Sequence, residues 1–212
     1  MIADILPAGV VAAESFGPPG DWKLFPPEAA AIATAGPGRQ AEFAAGRAVA
    51  RAALARLGAP AGPVLPGLAG EPRWPGGVVG SITHCAGYRA CAVTLARDLA
   101  AIGIDAEPCL ALADGLLEEV AGAAERARLS ELSVARPGVP WGRVLFCAKE
   151  AVYKAWYPRT GQRPGLRSMA VQISAAGAFT ATLPPATLPP ASLTGRWLVS
   201  RGLIVTAVSV PR

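Results

Sequence analysis

Two long helical patterns, each followed by strand-like runs, constrain this chain more than any other feature. The first runs from Arg39 to about Leu57, with Pro37 and Gly38 before it and Gly58 and Pro60 after it, residue types that start and stop helices. The second runs from about Trp141 to Trp156. On a helical wheel Val144, Leu145, Ala148, Val152, Ala155 and Trp156 gather on one face, and Lys149, Glu150, Tyr153 and Lys154 on the other. Strands are expected near 78–82, 88–95 and 101–105, then at 170–173, 179–183, 196–200 and 203–210, with shorter helices over 114–121 and 124–132. The first thirty-five residues are broken by proline and take no assignment, and the proline-rich stretch 183–190 reads as a surface linker. A long helix followed by antiparallel strands, twice over, implies an α+β fold of two similar halves, 1–101 and 102–212, although no repeat is visible residue by residue.

With 212 residues and 52% hydrophobic content the chain can bury a large core. No apolar run approaches the roughly 18–20 residues of a membrane span, and the N-terminus lacks the basic and apolar regions of a secretory signal. A soluble cytoplasmic monomer is therefore expected, without a membrane partner. Cys85, Cys91, Cys109 and Cys147 show no paired spacing, and His84 is the only histidine, so zinc is disfavoured and reduced core thiols are expected. The net charge of +5 favours anionic partners. Nucleic acid is disfavoured among them, because the basic residues do not cluster and aromatics make up only 6%.

The chemistry gathers on two segments. In an extended strand residues two apart share a face, so Asp105 and Glu107 present two carboxylates side by side. A hard divalent cation relieves their repulsion, and Mg²⁺ takes one or two carboxylates while water and phosphate oxygens complete its shell. Glu150, on the polar face of the second helix, is the candidate third ligand. A solvated surface pair between Glu150 and Lys154 is the plain alternative for that face. On the first helix Arg39, Phe43, Arg47, Arg51 and Leu54 share one arc. Arginines on an apolar face are costly unless a carboxylate or phosphate meets them, although Arg47 and Arg51 could also snorkel to solvent or pair with Glu42. Ser81, Thr83 and His84 end a strand in hydroxyls and an imidazole suited to a phosphate or ribose. No P-loop or dinucleotide-binding glycine pattern is present, so any nucleotide must be held by side chains.

Taken in order, these elements resemble the Sfp-type 4′-phosphopantetheinyl transferases, and within them the enterobactin-synthetase-component-D subgroup with its actinobacterial members. The resemblance is carried by Arg39, Glu42, Phe43 and Arg47; by Gly70, Glu71, Pro72, Trp74 and Pro75; by Gly80 to Cys85; by Gly103, Asp105, Glu107 and Pro108; and by Trp141 with Phe146 to Trp156. It implies two similar α+β halves with coenzyme A in the cleft between them. The reaction it implies moves the phosphopantetheine arm of coenzyme A to a serine of an apo acyl or peptidyl carrier protein, with Mg²⁺ (or Mn²⁺) as cofactor. By the same resemblance Asp105, Glu107 and Glu150 are metal ligands, while Arg39, Arg47, Ser81, His84, Lys149 and Lys154 line the coenzyme A site. Glu150 is the candidate base for the serine proton and Lys154 the stabiliser of the departing phosphate. Subgroup members often carry a lysine in the loop where this chain has Pro66, a contact that Arg73 would have to replace. The alternatives are a Mg²⁺-dependent nucleotide pyrophosphohydrolase using the same carboxylates and a basic nucleic-acid-binding module.

Overall fold

A computed structural model describes residues 1–18, 20–183 and 192–212. The linker expected at 183–190 falls almost wholly outside the described residues. In chain order the elements are β1 (Val11–Phe16), α1 (Pro26–Ile32), α2 (Pro37–Leu57), β2 (Val78–Cys85), β3 (Tyr88–Leu95), β4 (Ala101–Pro108), α3 (Leu116–Val120), α4 (Ala123–Ala135), α5 (Trp141–Thr160), β5 (Ala170–Ile173), β6 (Ala178–Thr182), β7 (Ser192–Ser200) and β8 (Leu203–Val210). Helix α2 opens on Pro37, whose missing N–H is no loss in a first turn, and stops at Gly58 in the left-handed conformation. Strand β1 escaped the sequence reading because Ala12 and Ala13 carry little β preference. It forms by pairing antiparallel with β3, with Ala13 opposite Cys91.

Two antiparallel sheets result, ordered β1-β3-β2 and β4-β8-β7-β6-β5. Side-chain alternation along the strands decides the layering. On β3, Cys91 and Val93 turn outward to Val49, Ala50, Ala53 and Leu54 of α2. Its alternate residues Tyr88, Ala90 and Ala92 turn inward to Ile102, Ile104 and Ala106 of β4 and to Val205 and Ala207 of β8. On β8 the other face, through Ile204, Val208 and Val210, packs with Val144, Ala148 and Val152 of α5. The sheets therefore lie back to back, α2 covering one and α5 the other. In each half the first strand pairs with the last, and the last with the strand before it.

A second repeat ties each long helix to its half. Glu28, in the first turn of α1, accepts the Phe25 amide (2.9 Å) and Arg51 Nη1 of α2 (2.9 Å) on one oxygen, and the Val64 amide (2.8 Å) on the other. Glu125, in the first turn of α4, accepts the Gly122 amide (2.7 Å) and Lys149 Nζ of α5 (2.9 Å) on one oxygen, and the Val171 amide (2.8 Å) on the other. Each glutamate thus caps the short helix, neutralises a cation of the long helix and captures an amide from the chain beyond it. Such a repeat joins residues distant in sequence, so a residue-by-residue scan does not see it.

The halves also meet along an edge. The β2 hydroxyls of Ser81 and Thr83 accept the β4 amides of Ile104 (3.1 Å) and Ala106 (3.0 Å), so side chains take the place of a backbone ladder. Behind this seam β4 lies so close to α5 that a Cβ on Gly103 would collide with the Ala151 carbonyl and the Ala155 amide.

Candidate active site

Strand β4 and helix α5 bring the expected acidic residues to one end of the seam. Asp105 is 5% exposed, and its Oδ1 accepts hydrogen bonds from Lys154 Nζ (2.6 Å) and Thr83 Oγ1 (3.1 Å). Its Oδ2 is buried and has no hydrogen-bond partner. The neighbouring Cys147 thiol is held protonated by burial and by the Asp105 charge, and a thiol is a weak donor. Glu107 is tied by Arg143 Nη1 at 3.0 Å. Burial and the Asp105 charge nevertheless push its carboxyl above the ordinary carboxylate range, against the pull of Arg143 and Lys154. The Glu150 carboxyl is raised in the same way, first by burial, then by Asp105 and Glu107. Burial opposes the charge on Lys154, but Asp105 and Glu150 outweigh it and its pKa is raised.

Such a cluster is short of positive charge. Among the described residues no three His, Cys, Asp or Glu side chains close into a cage that could hold a metal. The donors present still fit a hard cation that takes most of its ligands from water and phosphate. Asp105 offers a buried oxygen without a hydrogen-bond partner, and Glu107 and Glu150 are carboxyls whose charged form an added cation would favour.

Beside the acids, a cleft of about 160 Å³ runs between the halves, walled by Glu71, Pro72 and Ser81 from one side and by Glu150, Tyr153 and Tyr157 from the other. On the first half's side of the seam, Arg39 Nη1 meets His84 Nε2 at 3.2 Å. Burial, Arg39 and Lys154 lower the His84 pKa against the pull of Glu42 and Asp105, which leaves a neutral imidazole accepting from the guanidinium. Arg39 is otherwise exposed and loosely paired with Glu42 at 3.5 Å, so it can turn to an incoming anion.

Four expected ligands lie elsewhere or are already engaged. Lys149 was expected to face phosphate, yet it is fully buried on the far side of α5, bonded to Glu125 and to the Val120 carbonyl (2.6 Å). The apolar and polar faces of α5 interleave there, since one turn carries both the clamp to α4 and the site. Arg47 is 5% exposed, stacked on Phe43 with 4.0 Å to the ring centre, and donates Nε to the Val64 carbonyl (2.6 Å). Burial lowers its pKa to about 10. Its Nη2 is buried without a partner. Ser81 lines the cleft but spends its hydroxyl on the Ile104 amide. Arg73 is exposed on the loop before β2 and does not line the cleft.

Comparison with known proteins bears on this arrangement half by half. A model of the 4′-phosphopantetheinyl transferase N-terminal domain matches residues 27–94, and the model of the 4′-phosphopantetheinyl transferase superfamily matches residues 101–207. The chain belongs to this superfamily. Among its relatives are the 4′-phosphopantetheinyl transferases Svp of Streptomyces mobaraensis, 48% identical over 99% of this chain and 89% of that protein, and PptT of Mycobacterium tuberculosis, 44% identical over 76% and 71%. Enterobactin synthase component D of Salmonella typhi is 33% identical over 73% of this chain and 64% of that protein. The α+β fold of two halves and the assignment as an enzyme of the transferase type both hold. No helix among the described residues is long and apolar enough to cross a membrane.

Two site residues of this transferase were not picked out from sequence. Arg143 holds Glu107 and also donates to the Leu110 (3.3 Å) and Ala111 (2.9 Å) carbonyls. Its signal was a spacing of seven from Glu150, two turns along one helix stripe that continues through Lys154 to Tyr157. Thr83 was seen only as one hydroxyl of a short run, and nothing in the sequence tied it to Asp105.

Proposed function

We propose that this transferase moves the 4′-phosphopantetheine arm of coenzyme A to a serine hydroxyl of an apo acyl or peptidyl carrier protein, using Mg²⁺ or Mn²⁺. The observation that carries the reading is Asp105, with one buried oxygen unpartnered and the other bonded to Lys154, a residue that lines the cleft between the halves. A cation bound by Asp105, with Glu107 and Glu150 as further ligands, would neutralise the pyrophosphate oxygens.

In the transfer, the serine oxygen forms a bond to the β-phosphorus, and the bond from that phosphorus to the bridging oxygen breaks. The bridging oxygen leaves with adenosine 3′,5′-bisphosphate. Glu150 takes the serine proton. Its carboxyl stands on the cleft wall, placed to accept that proton in its charged form. Lys154 sets an ammonium against the charge that gathers on the leaving phosphate. Arg39 and His84 hold the 3′-phosphate end, one by charge and one by a hydrogen bond. Side chains and orientation do the work, and no covalent enzyme intermediate is required.

Incubation with coenzyme A, Mg²⁺ and a panel of apo carrier proteins, followed by intact mass measurement, tests this directly. A carrier that gains one phosphopantetheine, with adenosine 3′,5′-bisphosphate in equal amount, is expected. Hydrolysis of coenzyme A without carrier modification would instead favour the pyrophosphohydrolase reading, in which water replaces the serine.

A further inference from the structure

We propose that Thr83 is a positioning residue, whose hydroxyl orients Asp105 so that the second carboxylate oxygen is presented to the cation. This rests on the reading of Asp105 as a metal ligand. The Thr83 side chain crosses from one half to the other and is 1% exposed. Its Oγ1 accepts the Ala106 amide at 3.0 Å, and the same oxygen donates its single proton to Asp105 Oδ1 at 3.1 Å. A hydroxyl has one proton, so a Thr83 that accepts from the β4 backbone and donates to the carboxylate has its orientation fixed by both partners. Lys154 Nζ reaches the same Oδ1 at 2.6 Å. Two donors from opposite halves therefore converge on one oxygen and leave the other, Oδ2, buried and without a partner.

Lys154 alone does not define this arrangement. Its ammonium ends a flexible stem with three rotatable donors and could follow either oxygen of a turning carboxylate. Thr83 cannot follow, because its β-branched side chain sits on a strand and its oxygen is already bonded to the Ala106 amide. The carboxylate is thus referenced to the backbone of its own strand through a side chain of the neighbouring one. Ser81, two residues earlier on the same face of β2, makes the equivalent bond to the Ile104 amide but reaches no carboxylate. The seam itself therefore needs a hydroxyl at both positions, and only Thr83 carries the added role.

Manganese binding separates that role from seam stability. Purified full-length Thr83→Val and Thr83→Ser proteins, with saturating coenzyme A, would be titrated with Mn²⁺ while the signal of the free ion is followed by electron paramagnetic resonance. Loss of a group that orients a metal ligand typically weakens metal affinity about 10- to 100-fold. Thr83→Val is expected to weaken Mn²⁺ binding by about tenfold or more, and Thr83→Ser, which keeps the hydroxyl, to stay within about twofold of wild type. Should Thr83→Val not fold, Thr83→Ala removes the hydroxyl with less bulk and is read in the same way. Wild-type Mn²⁺ affinity in a folded variant lacking the hydroxyl would overturn the proposal, even with a lowered melting temperature. Weakening of Thr83→Ser equal to that of the variant lacking the hydroxyl would overturn it too, by assigning the effect to the lost methyl. In parallel, Asp105→Asn is expected to abolish Mn²⁺ binding; unchanged affinity there would overturn the metal reading itself, and the role of Thr83 with it.

Discussion

The two halves hold their long helices by the same device and put different chemistry on them. Arg51 of α2 and Lys149 of α5 occupy corresponding places, each gripped by the buried glutamate of the preceding helix. One residue further on, α2 has the exposed Ala52, whereas α5 has Glu150 on the cleft. Five residues beyond the gripped cation, Arg56 donates to the Ala12 carbonyl of β1 (2.6 Å), whereas Lys154 donates to the Asp105 carboxylate of β4 (2.6 Å). The contact is the same, helix cation to first strand, but in one half it ends on backbone and in the other on a carboxylate. A shared frame can therefore carry a reactive site in one copy alone, through a few side chains along one stripe of α5.

The strongest way to break this comparison is to remove the distinguishing side chains. Asp105→Ala and Glu150→Ala are expected to lower transfer by about a thousandfold, roughly 4 kcal/mol in barrier, while circular dichroism stays native. Arg56→Ala, at the matching place in the other half, is expected to leave transfer within about twofold while lowering thermal stability slightly, because it removes only an exposed hydrogen bond. Equal losses in turnover assays would dissolve the asymmetry.

The glutamate clamps come next. Lys149 is fully enclosed, whereas the Arg51 side chain is 24% exposed. Glu125→Gln strands a buried ammonium and is expected to cost about 3–5 kcal/mol. In Glu28→Gln the cation can still reach water, so a smaller loss of about 1–3 kcal/mol is expected. Urea midpoints of the two variants check the order, and a larger loss for Glu28→Gln would invert the ranking of the halves. A finer contrast lies on α2 itself. Arg39→Ala is expected to weaken coenzyme A about tenfold and its 3′-dephospho form little, since Arg39 is exposed and held only by His84 and, loosely, Glu42, and can turn to an anion. Arg47→Ala should affect both ligands alike and lower the melting temperature, because its guanidinium already serves Val64 and Phe43. Calorimetry with the two ligands decides, and a selective effect of Arg47→Ala would return that arginine to the phosphate. The smallest effect concerns the carrier. With net charge +5, the chain should lose some attraction for an acidic carrier as salt rises from about 0.05 to about 0.5 M, giving a rise of a few-fold in KM at saturating coenzyme A. A flat KM would point to an apolar interface.

Periodicity made the long helices and most strands legible, because their burial follows local alternation that any window of residues displays. The carboxylate strand and the Glu150–Lys154 face were readable for the same reason. Strand β1 was not, since its alanines pack only once β3 lies beside them. Lys149 was misplaced because a helical wheel sorts residues by angle and cannot foresee Glu125 arriving from α4 to neutralise it. The engagement of Arg47 was not legible because a carbonyl and a phenyl ring can take up a guanidinium much as a phosphate does. Thr83 and Arg143 act across the fold, on partners 22 and 36 residues away, and no local pattern records such pairings.

At Gly103 the backbone of β4 rests directly against that of α5. The missing side chain works as a gauge. It sets how far the strand bearing Asp105 stands from the helix bearing Glu150 and Lys154, and so, on the proposed reading, the size of ion and the span of diphosphate that the gap would accept. Even alanine would act as a shim there, prising helix from strand and stretching the 2.6 Å contact between Lys154 and Asp105 without altering a single polar group. A tolerance this narrow thus belongs to a residue with no chemistry of its own.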